Sequence, residues 1–224
     1  MHRLATPPVS ALADVAALAG IDGWLTPPLR PVVGSSEPRR GRVRTVRFQV
    51  ADDGPGLGAV YELLSTDLTG TVLVFGGAAA LGGAVWGEIL SRAAAAQGAA
   101  AVLVDGAVRD VDAMAAIGLP VYARDVQVVG PNGRAHAVQV DGVVTVDDVR
   151  ITAQDAVAVD ASGCIRIEAA REWELLDAAR RYAAGEERVL QALADGTLLR
   201  EAYLHKRVVV DELKGGATGH GREP

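Results

Sequence analysis

The middle of the chain alternates short apolar runs with polar stretches that contain glycine, and this alternation restricts the possible folds more than any other feature. Runs at 71–75, 99–104 and 121–123 have the length and composition of buried strands. Helical stretches at about 85–97 and 112–117 separate them. Strands that alternate with helices pair in parallel through crossovers, so this region predicts an α/β sheet.

The sequence before this region adds further elements. Residues 8–20 predict a helix with Ser10 as its N-cap, and the prolines at 26–31 predict an extended loop. Residues 44–50 alternate as a half-buried strand, with Val46, Phe48 and Val50 on one face. Residues 57–64 predict a short helix.

The second half changes from strands to helices. Residues 135–151 and 155–167 are rich in strand formers, with turn signals at Asp141–Gly142 and Ser162–Gly163. Residues 168–184 and 187–194 predict two helices separated at Gly185. We therefore expect a single α/β domain at 1–167, a C-terminal helical arm at 168–214 that packs on the same domain or on a neighbour, and a flexible tail at 215–224.

Composition excludes several classes of function. The formal net charge is -6, so binding of nucleic acid through bulk charge is not expected. A single cysteine, Cys164, excludes an internal disulfide framework and a multi-cysteine zinc site, and its strand position predicts a core residue. No apolar run approaches the roughly 18 residues of a membrane span. We expect a cytoplasmic protein that binds no membrane, and the mean hydropathy of +0.20 favours subunit contacts.

The scarcity of lysine limits the kinds of catalysis that this chain can perform. Among 22 basic residues only Lys206 and Lys214 are lysines, and both lie near the C-terminus. A Schiff-base enzyme needs a desolvated lysine in its pocket. Carbon–carbon bond chemistry in this chain would therefore require a metal ion or another cofactor.

Three side chains form the most informative constellation. Glu88 lies in the opening turn of a helix, and Arg109–Asp110 follow a strand, with 20 residues between Glu88 and Arg109. The helix start and the strand end fall on the same edge of a parallel sheet, so the three should converge. Free amides at a helix start can hold a carboxylate, and arginine can grip an oxo acid in bidentate fashion. Asp110 suits Mg²⁺ or Mn²⁺, and Glu88 can receive a proton directly or through water.

Each of these residues also has an ordinary structural explanation. Arg109–Asp110 could be a surface pair or a turn, and Glu88 is favoured by the helix dipole. The glycines at 76–77 and 82–83 lack the spacing of a dinucleotide loop. His136 is expected to be exposed, and Trp86 is expected to pack in the core rather than to line a pocket.

Three stretches together resemble the RraA-like family: Val-Trp-Gly-Glu-Ile-Leu at 85–90, Val-Leu-Val-Asp-Gly-Ala-Val-Arg-Asp-Val at 102–111 and Gly-Leu-Pro-Val-Tyr-Ala at 118–123. This family includes the regulator of ribonuclease E activity A and metal-dependent 4-hydroxy-4-methyl-2-oxoglutarate/4-carboxy-4-hydroxy-2-oxoadipate aldolases. The acidic residue, the gap and the Arg-Asp pair resemble the aldolase signature. The sequence departs from the family at 153–155 and 160–163, outside the predicted site.

The resemblance implies a β/β/α swivelling-type domain that assembles as a homotrimer or hexamer. It implies substrate binding by Gly87, Glu88, Ile89, Leu90 and Arg109, with Arg109 and Glu88 catalytic. It implies that Asp110 binds a divalent cation, Mg²⁺ or Mn²⁺, directly. In the aldolases a glutamate from a neighbouring arm helps to hold metal-bound waters, and Glu186 or Glu187 could serve here.

The predicted activity is metal-dependent cleavage of a 4-hydroxy-2-oxo acid, such as 4-hydroxy-4-methyl-2-oxoglutarate, to pyruvate and a second oxo acid. Decarboxylation of oxaloacetate passes through the same enolate and is expected as a second activity. Two alternatives stay open at this point. One is a non-catalytic regulator that binds a ribonuclease, and the other is an RraA-like enzyme with a different enolate chemistry.

Overall fold

The computed structural model describes residues 5–21 and 29–217. These residues form two compact units, one made of 29–169 and the other of 5–21 together with 170–217. The first helix, which we predicted within a domain at 1–167, thus groups with the C-terminal helices. The prolines at 27 and 28, and residues 218–224 of the tail predicted at 215–224, lie outside the described residues. Residues 215–217, also predicted as tail, belong to the last helix.

The unit at 29–169 is built on a nine-stranded mixed sheet with a separate two-stranded ribbon. The strands are β1 (Arg30–Val33), β2 (Arg39–Val50), β3 (Thr71–Gly76), β4 (Ala84–Trp86), β5 (Ala101–Val108), β6 (Val121–Val126), β7 (Ala135–Val140), β8 (Val144–Val146), β9 (Val149–Ile151), β10 (Ala156–Asp160) and β11 (Gly163–Ile167). The sheet order is β1-β6-β5-β3-β2-β10-β11, with β4 beside β5 and β7 beside β2; β8 and β9 form the ribbon.

The centre of this sheet is parallel, as the alternation in the sequence predicts. β3 pairs in parallel with β2 and with β5, and β5 pairs in parallel with β6. Three helices connect the strands: α2 (Gly58–Leu63), α3 (Glu88–Ala96) and α4 (Val111–Ile117). Every residue of β5 is buried. The predicted α/β architecture is confirmed.

The long helix predicted from Val85 begins three residues later than expected. Ala84–Trp86 instead form β4, which lies parallel to the second half of β5. The pairing of β3 with β5 ends at Val104, so β3 leaves the edge of β5 beyond that residue open to another strand. β4 occupies this open edge, and α3 starts only at Glu88. A run of three apolar residues before a helix carries no periodic signal that separates these two outcomes.

Asp105 and Gly106 lie inside β5, although an Asp-Gly pair after an apolar run is more typical of a turn. Gly106 is needed there because a Cβ at this position would lie 2.9 Å from the Cβ of Ala78. The buried Asp105 carboxylate accepts hydrogen bonds from Nε of Arg124 and, at 3.2 Å, from the backbone N–H of Gly77. Arg124 also donates to Asp147 at 3.0 Å. The aspartate is therefore a paired buried charge that ties β5 to β6.

This pair should matter for stability. Because Arg124→Met would leave the Asp105 carboxylate buried with no charged partner, we expect it to lower the free energy of unfolding by about 3 kcal/mol. Arg134 supplies a matched control, since its side chain and that of its partner Asp52 are 54% and 92% exposed. Arg134→Met should cost less than about 1 kcal/mol. Equal midpoints for the two variants in urea denaturation would contradict the assignment.

His136 is buried, at 4% exposure, and not exposed as the sequence predicted. Its Nδ1 accepts a hydrogen bond from the N–H of Gly56 at 2.9 Å, and its Nε2 lies 3.3 Å from the carbonyl oxygen of Ala51. Together these contacts join β7 to the loop before α2. The prediction for Cys164 is confirmed: it is a core residue, and burial raises the pKa of its thiol to about 12.

The second unit is helical. It comprises α1 (Val9–Leu18), a 3-10 turn (Ala169–Arg171), α5 (Glu172–Ala194), α6 (Leu199–Ala202) and α7 (Leu204–Ala217). Pro8 rather than Ser10 precedes α1 as its N-cap. Gly185 does not separate two helices, because α5 runs through it. The glycine allows close packing, since a Cβ there would lie 3.1 Å from Cγ2 of Val209 in α7.

A polar cluster joins these helices. The Tyr182 hydroxyl donates to Asp14 at 2.6 Å, and the Lys206 ammonium donates to Glu186 at 2.7 Å. Lys206 also lies 4.6 Å from the centroid of the Tyr182 ring. In the described ranges 5–21 and 29–217, no helix has both the length and the apolar character that crossing a membrane requires.

Candidate active site

The ends of two parallel strands bring the predicted site residues together. In the pairing of β4 with β5, Trp86 lies beside Val108. The backbone N–H of Arg109 donates to the carbonyl oxygen of Trp86 at 3.0 Å, which extends this pairing by one residue. Gly87 and Arg109 are therefore adjacent, although 21 residues separate them in the sequence.

Gly87 precedes α3 in an extended conformation, with φ of -173°. Any residue could adopt this backbone, so the reason for a glycine is steric. A Cβ at Gly87 would lie 2.6 Å from Oδ2 of Asp110 and 3.1 Å from Cγ of Arg109. The absence of a side chain lets both functional groups approach the first turn of α3.

Asp110 occupies a left-handed backbone conformation, with φ of 59°, between β5 and α4. Aspartate tolerates this region better than most residues. Its Oδ2 accepts a hydrogen bond from the N–H of Glu88 at 3.3 Å and lies 3.5 Å from Nε of Arg109. The side chains of Arg109 and Asp110 are 45% and 43% exposed, so both are accessible to a ligand.

The Arg109 guanidinium also packs against backbone. A Cβ at Gly130 would lie 3.2 Å from Nη1 of Arg109, so this glycine leaves space for the guanidinium. The loop that contains Gly130 is held to β4 by a hydrogen bond from Ala84 N–H to the carbonyl oxygen of Val129 at 2.8 Å. The arginine is therefore positioned by β4, β5 and this loop together.

The Glu88 side chain points elsewhere. Its carboxylate pairs with Arg92 one turn further along α3, at 2.8 Å. Only its backbone N–H contacts Asp110. The structure thus brings the backbone of Glu88 into the constellation and leaves its carboxylate on the exposed side of the helix.

A cavity of about 330 Å³ lies at this junction, within the size range of small-molecule sites. Of the predicted site residues, Gly87, Ile89, Leu90, Arg109 and Asp110 line it. Trp86, predicted to be a core residue, is buried against Phe75 and also lines the cavity. The remaining lining residues, which sequence reasoning missed, are Leu57, Tyr61, Ala84, Val85 and Pro131.

The missed residues could not be recognised from their spacing. Leu57 and Tyr61 show only the apolar pattern of a short helix, and Pro131 follows a glycine in a loop. Their place at the cavity depends on where α2 lies. Gly56, which precedes Leu57, is held by hydrogen bonds with His136 and with the backbone N–H of Ala137. These partners lie about 80 residues away in the sequence.

The donor set allows a divalent cation with one direct protein ligand. Among the described residues, no group of three or more His, Cys, Asp or Glu side chains is placed to hold a metal ion. Mg²⁺, however, usually keeps several waters and binds proteins through one or two carboxylates together with substrate oxygens. Asp110 is accessible and lies beside the Gly87 backbone, where substrate oxygens can approach. The residues present therefore fit a cation that a bound substrate helps to coordinate.

The two glutamates of the arm differ in availability. Glu186 is held by Lys206 at 2.7 Å, whereas Glu187 is exposed on α5. A role for either one at a neighbouring subunit's site stays a prediction. Of the two, only Glu186 has an ion pair among the described residues.

The fit around Gly87 can be tested directly. We expect Gly87→Ala to push Asp110 and Arg109 away from the α3 amides and so to lower kcat/KM for the pyruvate release predicted from the sequence by about 10²-fold. Gly82→Ala is the matched control, because a Cβ there meets no atom within 4 Å. Retention of full activity by Gly87→Ala, or an equal loss in Gly82→Ala, would contradict the proposed geometry.

Comparison with known proteins places this geometry in context. The family model described as RraA-like (Aldolase/RraA) matches residues 9–166. A protein of Halalkalibacterium halodurans with the name "Putative 4-hydroxy-4-methyl-2-oxoglutarate aldolase" is 27% identical over 203 residues, which cover 91% of this chain and 92% of the relative.

Two solved structures are similar in fold. A protein of Pseudomonas syringae pv. tomato described as uncharacterized has a TM-score of 0.75 at 25% identity, covering 88% of this chain and 92% of its own. The RNA-processing inhibitor RraA from Thermus thermophilis has a TM-score of 0.58 at 26% identity, covering 70% of this chain and 91% of its own. The fold and the family predicted from the sequence are confirmed.

Proposed function

Because the chain belongs to the RraA-like family, we propose that it is a divalent-metal-dependent lyase that cleaves 4-hydroxy-2-oxo acids and releases pyruvate. The observation that carries the proposal is the convergence of Arg109, Asp110 and the first turn of α3 on one cavity. The aldolase name of the bacterial relative supports the same class of reaction.

In this proposal the pyruvate half of the substrate binds where the positive groups lie. The amides of the first helical turn have no acceptor within the helix, and those of Ile89 and Leu90 receive the substrate carboxylate. The Arg109 guanidinium donates to the carboxylate and to the 2-oxo oxygen. Asp110 would hold the cation, Mg²⁺ or Mn²⁺, which supplies Lewis-acid stabilisation of developing negative charge.

Cleavage then breaks the bond between C3 and C4. The electron pair of this bond forms the enolate of pyruvate, while the C4 hydroxyl loses its proton and becomes a carbonyl. Arg109 stabilises the negative charge as it develops on the 2-oxo oxygen. The hydroxyl proton passes through a water to the Glu88 carboxylate, which must turn away from Arg92 to receive it. A proton added at C3 completes pyruvate.

Loss of carbon dioxide from oxaloacetate would produce the same enolate. We therefore propose oxaloacetate decarboxylation as a second activity of the same residues. It needs no C4 hydroxyl, so it should depend on Arg109 and Asp110 but not on the carboxylate of Glu88.

The test uses the purified full-length chain. We expect pyruvate release from 4-hydroxy-2-oxo acids with Mg²⁺ or Mn²⁺, its loss in EDTA, and cation-dependent exchange of the C3 protons of pyruvate for deuterium by NMR. The absence of turnover, of decarboxylation and of exchange with either cation would overturn the proposal.

Assembly is the second part of the proposal. Several large apolar side chains of the helical unit are exposed, which is typical of surfaces that contact another subunit. They are Trp173, Leu190, Leu193, Leu198, Leu199, Tyr203, Leu204 and Val208. We propose a homotrimer or a pair of trimers, and light scattering after size-exclusion chromatography would reveal a monomer if this is wrong.

A regulator is the second candidate function. The likeness to the Thermus RNA-processing inhibitor favours it, since the similarity extends over 91% of that protein's chain. A regulator would co-purify with a ribonuclease and lower its activity, and it would show no cation-dependent enolate exchange. The exchange experiment therefore separates the two functions.

A further inference from the structure

The cavity next to Arg109 and Asp110 is mostly apolar. Apart from these two, the described residues that line it carry no ionised side chain, and most of its walls are hydrocarbon or aromatic. α2 and the residue before it contribute Tyr61 and Leu57, α3 contributes Ile89 and Leu90, and the loop before β7 contributes Pro131. The buried Trp86 uses its indole N–H on Ser91 at 2.7 Å, so it offers a ligand no free donor.

Charge accounting limits what the rest of the substrate can be. In the proposed function, which this inference extends, the first carboxylate and the 2-oxo oxygen use Arg109 and the α3 amides. A second carboxylate on C4 would then find no other cationic side chain among the described lining residues. It would instead face apolar groups, because in the proposed function the cation at Asp110 and the Arg109 guanidinium already serve the pyruvate half. The apolar wall offers that carboxylate no opposing charge, whereas an alkyl or aryl group would remove apolar surface from water there.

We propose that the preferred substrate carries an apolar alkyl or aryl group on C4, and that Leu57 and Tyr61 select it. The reaction is R–CH(OH)–CH₂–CO–COO⁻ to R–CHO and pyruvate. The C3–C4 bond breaks, the hydroxyl proton is lost from the C4 oxygen, and one proton is gained at C3. The second product is therefore an apolar aldehyde rather than a second oxo acid.

The two selecting residues are well placed to act as a fixed wall. Gly56, directly before Leu57, is hydrogen-bonded to β7 through both of its backbone groups. Its N–H donates to His136 at 2.9 Å, and its carbonyl accepts from the N–H of Ala137 at 2.8 Å. Leu57 itself packs against the buried core. Tyr61 lies one turn further along α2, and its side chain is 56% exposed. An aromatic face in that position suits an alkyl or aryl group.

The test compares two substrates that differ only at C4. We expect wild-type kcat/KM to favour 4-hydroxy-2-oxo-4-phenylbutanoate over 4-hydroxy-2-oxoglutarate by at least about tenfold. Tyr61→Arg should reverse or erase this preference, because it places a cation at the wall. Leu57→Ala should lower kcat/KM for the phenyl substrate by about tenfold more than it lowers the value for the dicarboxylate. Leu198→Arg, at a site 71% exposed on the helical unit, should leave the ratio unchanged.

Deuterium exchange into pyruvate separates the two levels of the proposal, because pyruvate has no C4 substituent. Exchange together with a preference for the dicarboxylate, or an unchanged ratio in Tyr61→Arg, overturns the apolar subsite and leaves the lyase intact. Failure of exchange in wild type overturns both. Normal exchange in Tyr61→Arg shows that this variant is folded and that its altered ratio reflects specificity.

Discussion

Arg109→Ala is expected to lower kcat/KM for pyruvate release by about 10²- to 10³-fold, the effect of removing one donor to a developing oxyanion. The guanidinium is always protonated and lies at the cavity beside Asp110, so it supplies charge that no other described lining residue replaces. Arg109→Lys should recover only part of the activity, because an ammonium cannot donate in bidentate fashion. Steady-state kinetics with both 4-hydroxy-2-oxo acids and oxaloacetate measures the effect.

Arg181→Ala is the matched control for this variant. Its side chain is 49% exposed and pairs with Glu212 at 2.8 Å, which resembles the exposure and pairing of Arg109. We expect unchanged kinetics in Arg181→Ala and changes in unfolding free energy within about 0.5 kcal/mol in both variants. If Arg109→Ala kept activity within a few fold of wild type, the assigned role of this residue would be wrong.

Asp110→Asn should weaken Mn²⁺ binding by at least about 100-fold, since even groups that only support a metal ligand contribute 10- to 100-fold. Asparagine keeps the shape of the side chain and tolerates the left-handed backbone at this position, so the fold should be retained. Calorimetric titration with Mn²⁺ in the presence of oxalate measures the affinity independently of turnover. Activity at a fixed cation concentration should fall in parallel.

Asp141→Asn is the control, because it tests whether replacing any exposed aspartate that pairs with an arginine weakens Mn²⁺ binding. Asp141 also has a left-handed backbone, with φ of 56°, pairs with an arginine, Arg44, at 2.7 Å, and has a 39% exposed side chain. It does not line the cavity. We expect unchanged Mn²⁺ affinity in this control. Equal losses in the two variants, or none in Asp110→Asn, would contradict a cation site at Asp110.

The parallel sheet and the convergence of Arg109 with the start of α3 could be predicted because both depend on local signals. Apolar runs of strand length and glycine stops mark the alternating elements, and the rule that parallel strands share an edge places their ends together. Several of the wrong predictions concern residues whose role depends on distant partners. From the sequence, Asp105 is typical of a turn and Gly185 of a helix end. In the structure Asp105 pairs with Arg124, and Gly185 packs against Val209.

The cavity walls were beyond prediction for the same reason. His136 is one of four histidines with no distinctive spacing, yet it anchors the residue before Leu57. That contact and the hydrogen bond from the Ala137 N–H to Gly56 hold the start of α2 at the cavity. The selectivity that we infer for the C4 group thus depends on tertiary contacts that no local pattern in the sequence reports.

The position of β2 has a consequence for synthesis of the chain. Its first half pairs with β10, which begins at Ala156, although β2 itself ends at Val50. At about 5–20 residues per second, translation leaves this edge without its partner for about 5–20 s. Arg39, Arg40 and Arg42 lie along it. Charge repulsion between such edges opposes pairing of one nascent chain with another, so we expect these arginines to protect the unfinished sheet from aggregation on the ribosome.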